Sequence, residues 1–296
     1  IINKSFGKIR TTPLGINSKS NQLRNFSRAT ESSTWSIAHI PKGKNIEHVR
    51  TELMSDPNIE HVEYNHYISI SREPNDPLFS EMWNLENTGQ TGGRVDADID
   101  ATNAWDINTG SKNVVVAVID TGIDYTHPDL FNNIWINTGE IPNNGIDDDG
   151  NGYIDDYNGY DFIDLDNDPM DQHGHGTHVA GTLSAEGGNG IGITGVAWGV
   201  QLMPLRILNH NGNGTTAAAI EAIYYATKMG ATISNNSWGN DHYSQALKYA
   251  IEFADRAGSL FITAAGNRSR DLDIKPFYPA AYDIRWRIFQ ILPLMV

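Results

Sequence analysis

The sequence predicts an α/β fold with a doubly wound, mostly parallel sheet, preceded by a small α+β unit. Residues 114–119 form a continuous apolar and β-branched run, which is typical of a strand buried on both faces. From about residue 100 onward, short apolar strands alternate with segments of helical periodicity. This alternation predicts parallel strands joined by crossover helices that cover both faces of the sheet.

The amino-terminal elements are few and short. Residues 34–40 and 59–70 are predicted strands, and residues 46–54 have the apolar spacing of a helix. Residues 71–77 are polar and contain two prolines. Because proline disfavours the interiors of helices and strands, this stretch is a predicted linker.

The elements of the larger unit follow the alternation. Gly230 and Gly258 each close a segment of helical periodicity, and glycine commonly ends a helix. The predicted helices are residues 175–185, 215–229 and 244–257, and the predicted strands are residues 114–119, 201–208, 231–234 and 260–264.

Composition excludes several classes of function. The chain has 21 Lys and Arg against 36 Asp and Glu, so its net charge of -15 disfavours nucleic-acid binding. No apolar run reaches the ~18 residues of a membrane span. The absence of cysteine excludes disulfides and thiolate chemistry. Residues 1–75 carry a net charge of +3 and residues 76–296 a net charge of -18, which indicates two parts with different roles.

Three unusual segments follow predicted strands, where ligands bind in parallel sheets. They are Asp120-Thr-Gly, Asn236-Ser-Trp-Gly239 and Ala264-Ala-Gly-Asn267. Asp120 ends the most apolar strand, and an acid there needs a hydrogen-bonding partner. A helix cap is the alternative role for this residue.

A histidine-rich segment, Asp171-Gln-His-Gly-His-Gly-Thr-His-Val-Ala-Gly-Thr182, carries the second signal. Taken alone, His173, His175 and His178 are candidate metal ligands, and a metallohydrolase is therefore one alternative. The glycines between them indicate a close approach of backbone instead.

These segments resemble the subtilisin-like serine proteases, with the aspartate motif at 118–130 and the histidine motif at 175–182 in the family's order. The resemblance implies that Asp120 orients His175, and that His175 acts as general base and acid for a serine nucleophile. It also implies that Asn267 donates a hydrogen bond to the oxyanion. His178 is expected to be a packed helix residue.

The resemblance implies polypeptide substrates that bind as an extended strand, without an organic cofactor. The segments that would line the substrate are Gly212-Asn213-Gly214, Ser237-Trp238-Gly239 and Ala264-Ala265-Gly266. Trp238 is expected to form a wall of the first pocket, and a purely structural core role is its alternative.

The resemblance also predicts a domain organisation. Residues 1–33 are an irregular leader, and residues 34–71 resemble a propeptide that would inhibit its own enzyme by docking on it. Residues 72–283 resemble an incomplete catalytic domain, and residues 284–296 are a tail that does not match. A secreted precursor is the implied context.

An acidic loop predicts a calcium site. Residues 147–171 hold ten Asp, and no Lys or Arg lies between Lys112 and Arg206. The first nine positions of the loop fit an EF-hand-type pattern, but position 12 is Asn158, with Asp156 or Asp161 as substitutes for the missing glutamate. The expected ligands are Asp147, Asp149, Asn151, Tyr153 and Asp155.

The resemblance implies a second calcium site. Its side-chain ligands would be Asp76, Asp129 and Asn189, with backbone carbonyls near Ile191 and Ile193. Oxygen ligands of this kind select Ca²⁺ over Zn²⁺.

The serine motif of the family is missing, and the only serine after Asn267 is Ser269. We therefore expect this chain by itself to be inactive, with a frameshift or truncation near residue 283. We also expect an exposed sheet edge beyond Leu260–Ala264 that promotes aggregation. A non-catalytic calcium- or peptide-binding pseudoprotease is the alternative function.

Overall fold

The computed structural model describes residues 10–13, 36–40, 43–57, 59, 61–64, 73–284 and 288–291. The chain divides into two compact units, Ile1–Ser69 and Ile70–Val296. None of the helices in the described part of the chain has the length and apolar character needed to cross a bilayer.

The first unit contains strands β1 (Arg10–Pro13) and β2 (Ser36–His39), which pair antiparallel, and helix α1 (Ile46–Met54). Asn45 caps α1, because its side chain accepts hydrogen bonds from the backbone of Glu47 and His48. The expectation of an irregular leader over 1–33 is wrong at β1. Backbone pairing with β2 supplies the hydrogen bonds of this segment, and a terminal proline is tolerated on an edge strand.

The predicted strand over 59–70 is only partly covered by the structure. Residues 59 and 61–64 have no strand pairing, and the rest of that prediction lies outside the described residues.

The second unit is built on a six-stranded sheet in the order β4-β5-β3-β6-β7-β8, with every neighbouring pair parallel. The predicted α/β class with a parallel sheet is therefore confirmed. The strands are β3 (Val115–Asp120), β4 (Tyr160–Asp161), β5 (Gln201–Arg206), β6 (Ile233–Asn236), β7 (Leu260–Ala264) and β8 (Ile288–Ile291). The helices are α2 (Ala101–Trp105), α3 (His175–Ser184), α4 (Thr216–Lys228) and α5 (Gln245–Arg256).

Both faces of the sheet are buried, as the apolar run of β3 predicts. Ala117 and Ile119 belong to a core that includes residues of α4 and α5. Val116 and Val118 belong to a second core, which includes Ala180 of α3. Because side chains of a strand alternate between the faces, a strand covered on both sides is apolar throughout.

The edge of β7 is not exposed, so that expectation is wrong. Residues 288–291 pair with β7 in parallel, with Phe261 opposite Ile288 and Ala264 opposite Ile291. Strand pairing uses backbone N–H and C=O groups that every non-proline residue carries. A segment outside the family's sequence pattern therefore fills this position in the sheet.

Candidate active site

An aspartate and a histidine meet at the carboxyl edge of the sheet. Asp120 is the last residue of β3 and is wholly buried, and His175 is the first residue of α3. Nδ1 of His175 lies 2.7 Å from Oδ1 of Asp120. The structure thus joins two residues that are 55 positions apart in the sequence.

Backbone contacts hold Asp120 in place. Its Oδ1 also accepts a hydrogen bond from the backbone N–H of Thr121 at 2.7 Å. The hydroxyl oxygen of Thr121 in turn accepts from the backbone N–H of Gly176 at 2.8 Å, which ties the start of α3 to the end of β3. Oδ2 of Asp120 has no hydrogen-bond partner among the described residues.

Two glycines permit this approach, as the sequence indicates. A Cβ atom on Gly176 would lie 2.1 Å from the carbonyl oxygen of Gly122. Gly122 has φ +98°, and a Cβ there would lie 2.3 Å from the carbonyl oxygen of Pro169. Any side chain at either position would force the strand end and the helix start apart.

Asp171 fixes the loop that leads into α3. Its Oδ1 accepts from the backbone of His173 and Gly174, and its Oδ2 accepts from the backbone and hydroxyl of Thr177. Burial opposes ionisation, but these hydrogen bonds outweigh it and lower the pKa of Asp171. The carboxylate therefore stays charged beside the amino-terminal end of the helix, where a negative charge is favourable.

The environment of His175 favours its charged form. The hydrogen bond to Asp120 raises the pKa of His175 against the opposing effect of burial, and the charges of Asp120 and Asp171 act in the same direction as the hydrogen bond. With Nδ1 facing Asp120, the other ring nitrogen, Nε2, is the position at which this ring can exchange a proton with a third group.

The three histidines do not form a metal site. The ring centroids of His173 and His175 are 6.4 Å apart, and His178 is exposed on α3 rather than packed as expected. Among the described residues, the one group of three side chains close enough to share an ion contains no histidine and consists of Glu140, Asp147 and Asp149. His173 lies in the loop before α3, and Nδ1 of His175 is engaged with Asp120, so the three rings do not share one point.

A cavity of ≈ 530 Å³ lies next to Asn267. Its lining includes the predicted substrate segments Ser237–Gly239 and Ala264–Gly266. Trp238 lines the cavity and also packs against the core. Residues of the lining that the sequence analysis missed are Asn240, Asp241, His242, Arg268, Arg270 and Phe277.

The third predicted segment, Gly212–Gly214, follows β5 and therefore also comes after the carboxyl end of a strand. It is exposed and does not line this cavity. A Cβ on Gly212 would lie 3.6 Å from Nε2 of His173, so the segment borders the histidine loop. Gly214 bridges to Leu208, directly after β5, while Asn213 accepts from Asn209 through its backbone carbonyl.

The acidic loop gathers three carboxylates, and one of them was not predicted. Glu140, Asp147 and Asp149 each offer an oxygen within 4.8 Å of the others. Glu140 is buried and accepts hydrogen bonds from the backbone of Asp148, Asp149 and Asp155. It precedes the loop rather than following it, so a search for glutamate at position 12 does not find it.

The side chains of the predicted ligands Asp155 and Asn151 form hydrogen bonds within the acidic loop and the residues just before it. The carboxylate of Asp155 accepts from the backbone of Asn144 and Gly145. The side chain of Asn151 donates to Asp149, and its oxygen accepts from the backbone of Tyr153. Asp155 is not a member of the three-carboxylate group found among the described residues.

The two substitutes proposed for the missing glutamate also lie outside that group. Asp156 accepts hydrogen bonds from Tyr225, Asn137 and Asn151. Asp161 forms a buried ion pair with Arg206. The two carboxylates thus interact with other buried groups, whereas the carboxylate of Glu140 lies close to those of Asp147 and Asp149.

Two of the three predicted side chains of the second site meet directly. Oδ1 of Asp129 accepts from the side chain of Asn189 at 2.9 Å, and Oδ2 accepts from the backbone of Ile193 at 3.0 Å. Asp76 is buried and accepts from the backbone of Gly188, which belongs to the same loop. Its second oxygen, Oδ1, is buried without a partner among the described residues.

A parallel sheet, an Asp120–His175 pair at its carboxyl edge and a cavity lined by the segments that follow β6 and β7 define a subtilisin-like α/β protein. The family model described as "Subtilase family" matches residues 111–287, four residues beyond the boundary expected at 283. This chain therefore belongs to the subtilase family.

Curated relatives share this assignment. A thermophilic serine proteinase of Bacillus sp. (strain AK1) is 35% identical over 245 residues, which are 83% of this chain and 52% of that protein. Thermitase of Thermoactinomyces vulgaris is 34% identical over 209 residues, with 71% and 62% covered. Subtilisin-like protease 1 of Plasmodium vivax is 37% identical over 203 residues, with 68% and 31% covered. The chain spans about half the length of the first of these relatives, and less of the third.

Proposed function

We propose that this chain provides the aspartate and histidine of a serine endopeptidase. The observation that carries the proposal is the 2.7 Å contact between buried Asp120 and His175 at the carboxyl edge of the sheet. Membership of the subtilase family and the similarity to a thermophilic serine proteinase support the same reaction class.

The proposed chemistry follows from the geometry of the pair. Asp120 accepts a hydrogen bond from the Nδ1–H group of His175, which leaves Nε2 as the base that removes a proton from a serine hydroxyl. The charged imidazole that results is stabilised by the carboxylate, in line with the raised pKa of His175. It then donates the proton to the leaving amine.

The proposed substrate is a polypeptide that binds as an extended strand. Asn267 lines the cavity, and its side-chain N–H₂ group is the proposed donor to the oxyanion of the tetrahedral intermediate. The segments Ser237–Gly239 and Ala264–Gly266 line the same cavity and offer backbone groups to the peptide.

A chimeric chain tests the proposal. Residues after Asp283 are replaced by the corresponding carboxyl-terminal part of thermitase, which supplies a serine. We expect the chimera to form a covalent adduct with a fluorophosphonate, and Asp120→Asn and His175→Ala to slow that labelling strongly. His178→Ala, an exposed change on the same helix, is the control. A folded chimera that binds peptides without labelling would support the pseudoprotease alternative.

We also propose that chain 1–296 by itself does not hydrolyse peptides at an enzyme-like rate. After Asn267 it has a single serine, Ser269, two positions away. In subtilisin itself, loss of the serine costs on the order of 10⁶ in turnover, because the triad acts as a unit. The measurement is casein hydrolysis by purified 1–296 and its His175→Ala variant. Activity that disappears in the variant would require another nucleophile.

Calcium is the proposed structural cofactor. Glu140, Asp147 and Asp149 form an all-oxygen group, which suits a hard cation. The buried, unpartnered Oδ1 of Asp76 fits a cation at the second site with Asp129 and Asn189. When bound, the ion would neutralise carboxylates that otherwise repel one another in a region without Lys or Arg.

Thermal unfolding with and without calcium tests the first site. Binding to the native state alone stabilises it by about 2.7 kcal/mol at a hundredfold excess over Kd. We expect Glu140→Gln, or Asp147→Ala with Asp149→Ala, to weaken the rise of Tm that Ca²⁺ produces. The control, Asp273→Ala with Asp283→Ala, changes the charge by the same amount at exposed positions outside the loop. An unchanged calcium response in the loop variants would place the ion elsewhere.

A secreted precursor is the proposed context. The net charge of +3 on residues 1–75 and of -18 on residues 76–296 supports binding between an inhibitory pro-segment and the enzyme. Separately expressed 1–71 should inhibit the active chimera described above, and inhibition should weaken as the salt concentration rises.

A further inference from the structure

The cavity beside Asn267 has an unusual charge for this chain. Nine Lys and Arg lie between residues 76 and 284, and three of them, Arg268, Arg270 and Lys275, lie within eight consecutive residues. Among the described residues that line the cavity, Arg268 and Arg270 are the cations and Asp241 is the one carboxylate. With His242 neutral, the lining carries a net charge of +1 in a unit that is otherwise strongly acidic.

Arg270 is held in position with most of its donors still available. It is paired with Asp241, and only 13% of its side chain is exposed, against 47% for Asp241. Its guanidinium lies 5.9 Å from the centroid of the Phe277 ring. Among the described residues Arg270 donates one hydrogen bond, through Nη1 to Asp241, whereas a guanidinium has five N–H donors.

The cations near the cavity favour the charged form of Asp241. The hydrogen bond from Arg270 is the main cause that lowers the pKa of Asp241, and the charges of Arg270, Lys275 and Arg268 act in the same direction. All three cations are therefore close enough to influence a carboxylate at this wall. The same stretch also contains Asp271 and Asp273, which are not among the residues that line the cavity.

Phe277 limits the depth of the cavity. A Cβ on Gly239 would lie 2.5 Å from this ring, and a Cβ on Gly266 would lie 3.4 Å from it. The ring thus occupies the space between two of the substrate segments. A side chain that enters beside Asn267 would therefore have an aromatic surface and two guanidinium groups in the same cavity.

We infer that this cavity selects peptides that place a carboxylate side chain, Asp or Glu, beside Asn267. The inference rests on the proposed function, since it names the substrate class of the same site. A short methylene stem would contact Phe277, and the carboxylate would accept hydrogen bonds from Arg268 and from the donors of Arg270 that Asp241 leaves available. The bound acid would bring the net charge of the lining from +1 to zero.

Peptide binding to chain 1–296 tests the inference. The probes are N-acetylated, C-terminally amidated hexapeptides of alanine with Glu, Gln or Lys at the fourth position, and Kd is measured by calorimetry. Charge-assisted hydrogen bonds contribute about 1.5–3 kcal/mol. We therefore expect the Glu peptide to bind at least about 10-fold more tightly than its isosteric Gln counterpart, and the Lys peptide to bind most weakly.

Two variants change the preference in opposite directions. Arg268→Gln removes an exposed cation from the rim and should reduce the ratio of Gln to Glu dissociation constants. Asp241→Asn removes the competing carboxylate and should increase that ratio. Arg94→Gln removes one exposed cation away from the cavity and should leave the ratio unchanged.

The outcomes separate the two proposals. Equal binding of the Glu and Gln peptides, or a preference for Lys, would overturn the specificity while leaving a peptide-binding cleft in place. Failure of the folded chain to bind any of the three peptides would contradict the cleft itself, and with it both proposals. A Glu preference that Arg268→Gln and Asp241→Asn do not shift would assign it to other residues.

Discussion

At the scale of single residues, hydrogen bonds from neighbouring residues offset the free-energy cost of burying the carboxylate of Asp120. A wholly buried carboxylate is costly unless it is hydrogen-bonded or paired. Here Oδ1 meets two donors, the backbone of Thr121 and the ring of His175. The hydrogen bond between Asp120 and His175 raises the pKa of the histidine. One contact therefore both stabilises the folded state and favours the charged imidazole of the proposed mechanism.

This coupling predicts a pH-dependent stability. Because the pKa of His175 is raised in the folded state, its contribution is fully present below the unfolded value of about 6.5 and is lost as pH rises through the folded pKa. We expect the difference in unfolding free energy between the parent chain and His175→Gln to be largest at acidic pH within the folded range. It should shrink toward alkaline pH.

Urea unfolding between pH 5 and 9 measures this difference. The same comparison in a His178→Gln background is the control, because that change leaves the Asp120–His175 contact in place. A difference that stayed constant, or that grew with pH, would contradict the sign of the linkage.

At the scale of elements, the decisive contact is between the end of β3 and the start of α3. The helix begins at His175 without a side-chain cap from Gly174, and Asp171 from the preceding loop accepts the backbone hydrogen bonds instead. The hydroxyl of Thr121 accepts one more, from Gly176. The approach of backbone to backbone is possible only without a Cβ at Gly176.

Two glycines of α3 predict opposite effects of the same substitution. Gly176→Ala would bring a Cβ to 2.1 Å from the backbone of Gly122, so we expect a loss of about 1–3 kcal/mol and a weaker contact between His175 and Asp120. Gly181→Ala would place its Cβ 3.6 Å from Ile193, an ordinary contact. Since alanine favours helix by up to about 1 kcal/mol over glycine, this variant should be neutral or stabilised.

Denaturant unfolding and the NMR titration of His175 measure the two effects together. Equal stability of the two variants would show that the strand end and the helix start are not in the close contact described.

At the scale of the whole molecule, the sheet is continued by a strand outside the expected pattern. β8 covers the edge of β7, and the two outer strands, β8 and β4, have four and two residues. Short edge strands offer little template for intermolecular pairing. β7 therefore has a strand partner on the side where an exposed, aggregation-prone edge was expected.

Removal of β8 should restore that hazard. We expect chain 1–284 to unfold at a lower denaturant concentration than 1–296 and to aggregate more readily, because the backbone groups of β7 lose their partners.

Phe289→Pro in the full chain removes one backbone donor from β8 and should act in the same direction. Light scattering and urea unfolding provide the measurements. A truncated chain as stable and monomeric as 1–296 would show that β8 contributes nothing to the sheet.

Several features could be predicted from the sequence because they depend on local patterns. The buried strand before Asp120 follows from a run of apolar residues, and α1 is found at its predicted bounds, Ile46–Met54, from apolar spacing. Asp120 and His175 are found because each lies in a long contiguous motif. The carboxyl edge of a parallel sheet then brings such strand ends together.

Other features were decided by tertiary structure alone. Glu140 joins Asp147 and Asp149 from upstream of the loop, and Arg270 forms an ion pair with Asp241 at the cavity, which Arg268 also lines. β8 pairs with β7 through backbone groups that leave no mark on side-chain composition. In each case the partners come from separate segments, and their contact depends on how the chain folds back rather than on the spacing of residues along it. Local sequence thus determined the longer helices and strands and the two motifs that contain Asp120 and His175, while long-range packing decided the pairing of β8 and which charges surround the cavity beside Asn267 and the candidate ion site.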